Sequence, residues 1–178
     1  MKEIVKELKI ELQDEEWSYE YTDHDRNIVR AVVVDDEGYY YFAHLVRDDI
    51  FCTGEIIETS GGGVEGEEDL HSAILRELKE ELGVEAEIVC KLGVVSDYYN
   101  LIHRHNVNNY YLCKVVSFGS NHLSKDEEES FHLTTLKLTF KQALEEYERC
   151  KCTKLGRVVA NRELPILRYA NEVLNGKQ

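Results

Sequence analysis

The order of apolar patterns predicts an α/β protein of the α+β kind, with a mixed sheet held between helices. Three observations carry this. Strand-like runs rich in Val, Ile, Tyr and Phe precede one amphipathic helix, and more such runs follow it before two further helices. That order lacks the regular βαβ alternation of a doubly wound sheet. A chain of 178 residues, 43% hydrophobic and 31% charged, is long enough for a full core, and 1–178 reads as a single domain.

The elements follow in order. Residues 1–23 form an N-terminal extension in which Trp17, Tyr19 and Tyr21 alternate as in a strand, suited to cover a sheet edge or to meet a second subunit. Residues 28–34 (IVRAVVV) and 39–46 read as two strands joined by the turn Asp35-Asp36-Glu37-Gly38. Residues 52–58 form a short strand that ends at a tight glycine turn, Gly61-Gly62-Gly63. A helix runs from about Glu68 to Leu82, with Asp69 or Glu68 as cap and Gly83 as its stop. Residues 84–97, 107–117 and 131–138 add strands. Thr139-Phe140-Lys141-Gln142 is a capping box opening a helix to about Arg149. A last helix covers 156–174, with Pro165 kinking or dividing it.

Charge narrows the function. The formal net charge is −14, which repels a phosphate backbone and argues against binding long nucleic acid. No apolar run approaches the ~20 residues of a membrane span, and the start of the chain lacks a signal-peptide core. Five scattered cysteines suggest no disulfide framework, so the cytoplasm is the expected compartment. Any phosphate-bearing substrate of so acidic a chain must be met by a local cation, either metal or arginine.

The helix after the glycines supplies a place for one. Glu77, Glu80 and Glu81 stand at i, i+3 and i+4, on one side of a single turn. Like charges so placed disfavour the helix unless a counter-charge offsets them. Hard oxygen ligands suit Mg²⁺, Mn²⁺ or Ca²⁺. At about 100° per residue, the acids border the stripe of Ile74, Leu75, Leu78 and Leu82, so they belong at the rim of the core. Arg76 can neutralise and orient one of them.

Gly62, Glu68, Arg76-Glu77-Leu78, Glu80-Glu81 and Gly83-Val84, at their observed intervals, resemble the Nudix box at all nine fixed positions over 23 residues. The resemblance implies a Nudix-type α/β/α sandwich. It also implies Mg²⁺-dependent hydrolysis, with Mn²⁺ as substitute, of a nucleoside diphosphate linked to another moiety: ADP-ribose, a nucleotide sugar or a nucleoside triphosphate. By position, Glu77 and Glu81 resemble principal metal ligands, Glu80 a further ligand and the Gly61 carbonyl a backbone ligand. Gly62, Glu68, Arg76 and Gly83 resemble supporting residues. The family's general base varies; a glutamate of the box or one among Glu127, Glu128 and Glu129 suits it, and Glu128 is the candidate carried forward. Gly66-Glu67 and Ser60 depart from the commoner loop residues, which touches loop shape more than chemistry.

Arg47 followed by Glu58 resembles the ADP-ribose branch, where an arginine reaches phosphate, although the proline expected downstream is missing. Tyr99, with Tyr98, lies where the family selects substrate. His103 and His105 flank Arg104 and read as a polar connecting loop, with phosphate contact as the sharper alternative. Tyr39, Tyr40 and Tyr41 read as packing, and Cys150-Lys151-Cys152 as structural. Two other readings stand beside the hydrolase: a non-catalytic nucleotide-binding Nudix module, and a diphosphate isomerase using Cys52 or Cys90. A homodimer through the N-terminal residues is the family-based expectation.

Overall fold

The sheet is built around β2, His24–Val34, whose outer half is a run of buried β-branched residues. The structure is a computed structural model and describes residues 5–176. β1 is Leu8–Glu11, β3 Tyr40–Asp48, β4 Thr53–Glu58, β5 Ser60–Gly63, β6 Val84–Tyr99, β7 Arg104–Phe118 and β8 Thr134–Leu138. The strand order is β1-β6-β7-β2-β3-β4, with β5 paired to β2 and β8 to β3. β1 runs parallel to β6 and β2 parallel to β7, while the other pairs are antiparallel, so the sheet is mixed.

Period-two alternation on β2 separates two cores. Val29, Ala31 and Val33 pack with Ala73, Ile74, Leu78 and Leu82 of α1, Leu70–Leu82. Val32 and Val34 face the opposite side, where α2, Phe140–Cys150, and α3, Lys154–Leu174, close a larger core. The sheet thus lies between helices, as the apolar pattern requires.

Several boundaries differ from expectation, each for a physical reason. Gly61-Gly62-Gly63 is no tight turn: it is most of strand β5, in register with Arg30, Val29 and Ile28. A Cβ at Gly61 would collide with the Val29 carbonyl, so glycine here permits close strand approach rather than reversal. Trp17, Tyr19 and Tyr21 do not form a strand; the edge of β6 is covered by Leu8–Glu11 instead. Trp17 packs edge-on against Phe51, at 5.7 Å between centroids, whereas Tyr19 and Tyr21 are exposed. Pro165 does not divide α3, which runs continuously through it. His105 belongs to β7 rather than to a loop.

Both expected helix signals before and after the sheet crossing are present. Asp69 caps α1, accepting from the Ser72 amide at 2.7 Å, and Gly83 ends it in the left-handed region at φ 65°. Thr139 and Gln142 form the reciprocal capping box of α2.

Candidate active site

Helix α1 lays its acidic edge beside β5, and their junction forms one wall of a cleft of about 700 Å³. Gly61, Gly62, Gly63, Glu77, Glu80 and Glu81 all line it. Glu77 is 7% and Glu81 6% exposed, so the rim position expected from the helical wheel places them well inside the surface. Leu75, at the far edge of the apolar stripe, is 37% exposed instead of buried.

The protein's own donors hold each acid. Arg76 Nη1 donates to Glu77 at 2.8 Å and to Glu80 at 3.1 Å. Its Nη2 donates to the Gly63 carbonyl at 3.2 Å and to Glu68 at 2.6 Å. Arg76 therefore ties helix, strand β5 and the intervening loop together. Glu68 also accepts from the Glu65 amide, and the hydrogen bond from Arg76 keeps its carboxyl below the usual range. Glu81 accepts from the Ser60 hydroxyl at 2.5 Å and the Gly61 amide at 3.2 Å. A Cβ at Gly62 would sit 2.5 Å from a Glu77 carboxylate oxygen, so glycine there leaves that side chain its present position.

Burial dominates the acids' ionisation. It pushes Glu81 up to about 8 against the opposing Ser60 hydrogen bond, with Glu58, Glu77 and Glu127 adding to the rise. Glu77 is also raised by burial, while Arg76 acts to lower it. A buried carboxyl that resists ionisation until a cation arrives is the chemistry expected of a hard-metal ligand. The donor set of three carboxylates and a strand carbonyl fits Mg²⁺ or Mn²⁺ in kind. Among the described residues, however, no three acidic, histidine or cysteine groups already converge as a metal cage. Glu77 and Glu80 are turned to Arg76, and Glu81 to Ser60 and the Gly61 amide.

The opposite wall comes from the segment after β7. The Gly119 amide donates to the Gly83 carbonyl, the His122 amide to the Glu80 backbone carbonyl and the Asn121 side-chain amide to the Glu81 backbone carbonyl, all at the end of α1. This docking brings His122, Ser124 and Glu127 to the cleft. Of the acidic run, Glu127 lines the cleft, whereas Glu128 is exposed and does not. The five-residue turn 126–130 points successive acids in different directions, which spacing alone does not resolve.

Arg47, Glu58 and Tyr99 stand at different depths of the cleft region. Arg47 lines the cleft, with its Nε bonded to Asp49 at 2.7 Å and its guanidinium over Phe131 and Phe51. Glu58 lines it too, 3.4 Å from both Arg30 and Arg162. Tyr99 is buried in a side compartment of about 240 Å³, accepting from Arg162 at 2.8 Å. Beneath lies a buried network. Burial disfavours the charged form of Glu163, yet Arg162, Arg30, Thr59 and Tyr147 hold its carboxyl below the usual range. Asp97 ties Asn106, Asn108 and Arg162 into the same floor.

Sequence reasoning missed Arg26, Arg30 and His122 altogether, and named Arg104 only between its histidines. All four line the cleft. The signal was the period-two spacing of Arg26, Ile28 and Arg30 on one strand, which places both arginines on one face. His103 instead ends a 3₁₀ turn and stacks on Tyr21, and His105 bonds to Ser96 and Asp25. Tyr40 and Tyr41 bond to Asn171 and Asp35, consistent with packing. Neither Cys52 nor Cys90 lines the cleft, and burial raises both thiols.

Solved structures share this architecture. The E. coli ORF135 protein matches with a TM-score of 0.57 at 21% identity, over 85% of this chain and 91% of that one. A NUDIX hydrolase from Nitrosomonas europaea matches at 0.59 and 16% identity, over 86% and 90%. An ADP compounds hydrolase matches at 0.57 and 19%, over 85% and 74%. No curated protein matches the chain significantly. The NUDIX domain model matches residues 15–149, which span the acidic helix, the glycine strand and the docking loop: the chain belongs to the Nudix family.

Proposed function

We propose that the protein is a divalent-cation-dependent hydrolase that cleaves the diphosphate bond of a nucleoside diphosphate derivative. The observation that carries this is the placement of Glu77, Glu80 and Glu81 against Gly61–Gly63 at the wall of an arginine-lined cleft. Family membership supports the reaction class, and the similarity to an ADP compounds hydrolase supports a nucleotide substrate.

Glu77, Glu81, Glu80 and the Gly61 carbonyl would hold Mg²⁺, with Mn²⁺ as a substitute. When bound, the cation neutralises non-bridging oxygens and acidifies a water. The chain's own residues do the rest. Arg76 releases Glu77 and Glu80 toward the cleft while Glu68 retains its other edge. Ser60 and the Gly61 amide keep Glu81 aligned. Glu127, which lines the cleft where Glu128 does not, would accept a proton from the attacking water. Arg47 and Glu58 orient the substrate.

The test is a panel of ADP-ribose, nucleotide sugars, nucleoside triphosphates and dinucleoside polyphosphates, assayed for phosphate-containing products with Mg²⁺ and with EDTA. Metal-dependent cleavage of one class establishes the activity and names its branch. Nucleotide binding without cleavage of any member would replace this reading with the non-catalytic module.

A further inference from the structure

Four arginines gather at one cleft of a protein whose net charge is −14. Two have partners: Arg30 bonds to Asn108 and the Thr59 carbonyl, and Arg47 to Asp49. Two do not. Among the described residues, Arg26 makes no hydrogen bond or ion pair, and its guanidinium lies against Gly63, 3.0 Å from where a Cβ would stand. Arg104 is half-buried, and its Nε is sealed from solvent with no acceptor among the described residues. Its plane lies over the Tyr99 ring at 5.1 Å.

The strands force this pair together. β2 and β7 run parallel with Arg26 opposite Asn106 and His24 opposite Arg104, so the arginines are diagonal neighbours on one face. Burial and the nearby charges of Arg26 and Arg30 lower the Arg104 guanidinium from its ordinary value. Like charges clustered in a partly desolvated site oppose folding unless an anion joins them. Among the described residues no carboxylate pairs with Arg26 or Arg104, and Glu58 is engaged by Arg30 and Arg162.

Position gives the anion its identity. Gly62 faces the Glu77 carboxylate, and the next residue, Gly63, faces Arg26. Successive strand residues face opposite sides, yet the cleft reaches both, since Glu77, Glu81, Arg26 and Arg104 all line it. Arg47 lies over one face of Phe131 at 4.6 Å, and Arg104 over one face of Tyr99.

We propose that Arg26 and Arg104 form an anion subsite for a second phosphoryl group of the substrate, beyond the diphosphate bond cleaved at the acids. This inference rests on the hydrolase reading for the location of that bond. It selects, among nucleoside diphosphate derivatives, those whose far end bears phosphate over those ending in a neutral sugar.

The test separates the subsite from catalysis. Inorganic tripolyphosphate is titrated calorimetrically into metal-free protein in EDTA at low salt. Wild type and Glu81→Gln bind it, and Arg26→Gln and Arg104→Gln each weaken binding about tenfold or more. Arg104→Gln keeps or raises the melting temperature, an outcome that a merely structural arginine would reverse. Absence of binding to wild type, or unchanged binding in both arginine variants, overturns the subsite. With Mg²⁺, Arg104→Gln raises KM for a nucleoside triphosphate about tenfold more than KM for a nucleotide sugar; an equal rise for both overturns the phosphoryl assignment. Failure of the hydrolase reading would show separately, as no turnover by wild type while tripolyphosphate still binds.

Discussion

At Glu81, burial and three neighbouring acids oppose ionisation, while the Ser60 hydroxyl and the Gly61 amide donate to the carboxylate. Its folded value, about 8, lies above the ordinary 4.5, so the folded state holds a proton that the unfolded chain has released. The sign follows: no penalty exists below about 4.5, and metal-free stability falls as pH rises from there through about 8. The full cost is at most roughly 5 kcal/mol. Glu81→Gln removes that ionisation. Urea midpoints in EDTA should therefore show the variant gaining on wild type between pH 5 and pH 9, and parallel curves would refute the buried carboxyl. With Mg²⁺ and substrate, the same variant should lose on the order of a hundredfold or more in kcat. These acids were legible in the sequence because three carboxylates on one helical turn need a counter-charge. The proton on Glu81 was not, since it depends on burial by strand β5.

Strand β5 shows what pattern reading does to glycine. A glycine run carries turn signals and no strand propensity, so Gly61–Gly63 read as a reversal, whereas the register with β2 makes it a strand. The neighbours distinguish the positions. A Cβ at Gly61 meets backbone of Val29, which cannot move without breaking the β2–β5 ladder; a Cβ at Gly62 meets the end of the Glu77 side chain, which can. Gly61→Ala should thus cost about 2 kcal/mol or more in a denaturant titration. Gly62→Ala should cost less than half as much while lowering activity at least as strongly, because it displaces Glu77. Helix limits were read more closely, since Asp69, Gly83 and Thr139 act through local hydrogen bonds. The short β1 was not legible: four residues gain their strand identity from parallel pairing with β6.

Across the whole molecule, the cleft stands on a buried floor assembled from distant segments. Arg162 joins Asp97, Tyr99, Tyr110 and Glu58, and Glu163 accepts from Thr59, Tyr110 and Tyr147. None of these pairs is close in sequence, which is why α3 read only as an amphipathic helix. Arg162→Met should cost about 3–5 kcal/mol, measured by urea denaturation, because Asp97 would remain buried without its cation. The fold class was legible from the order of apolar patterns, and the acidic wall from one helical turn. The basic wall was legible only in part: Arg26 and Arg30 share a face of one strand by period two, but Arg104 joins them only through the pairing of β2 with β7. The central claim is that the acids of α1 form a cation site facing β5. Mn²⁺ binding at pH 7, followed by electron paramagnetic resonance with parallel recording of proton release, tests it most directly. The account predicts saturable binding to wild type with release of a proton, and loss of both in Glu77→Gln and Glu81→Gln. Equal Mn²⁺ affinity in wild type and both variants would contradict it.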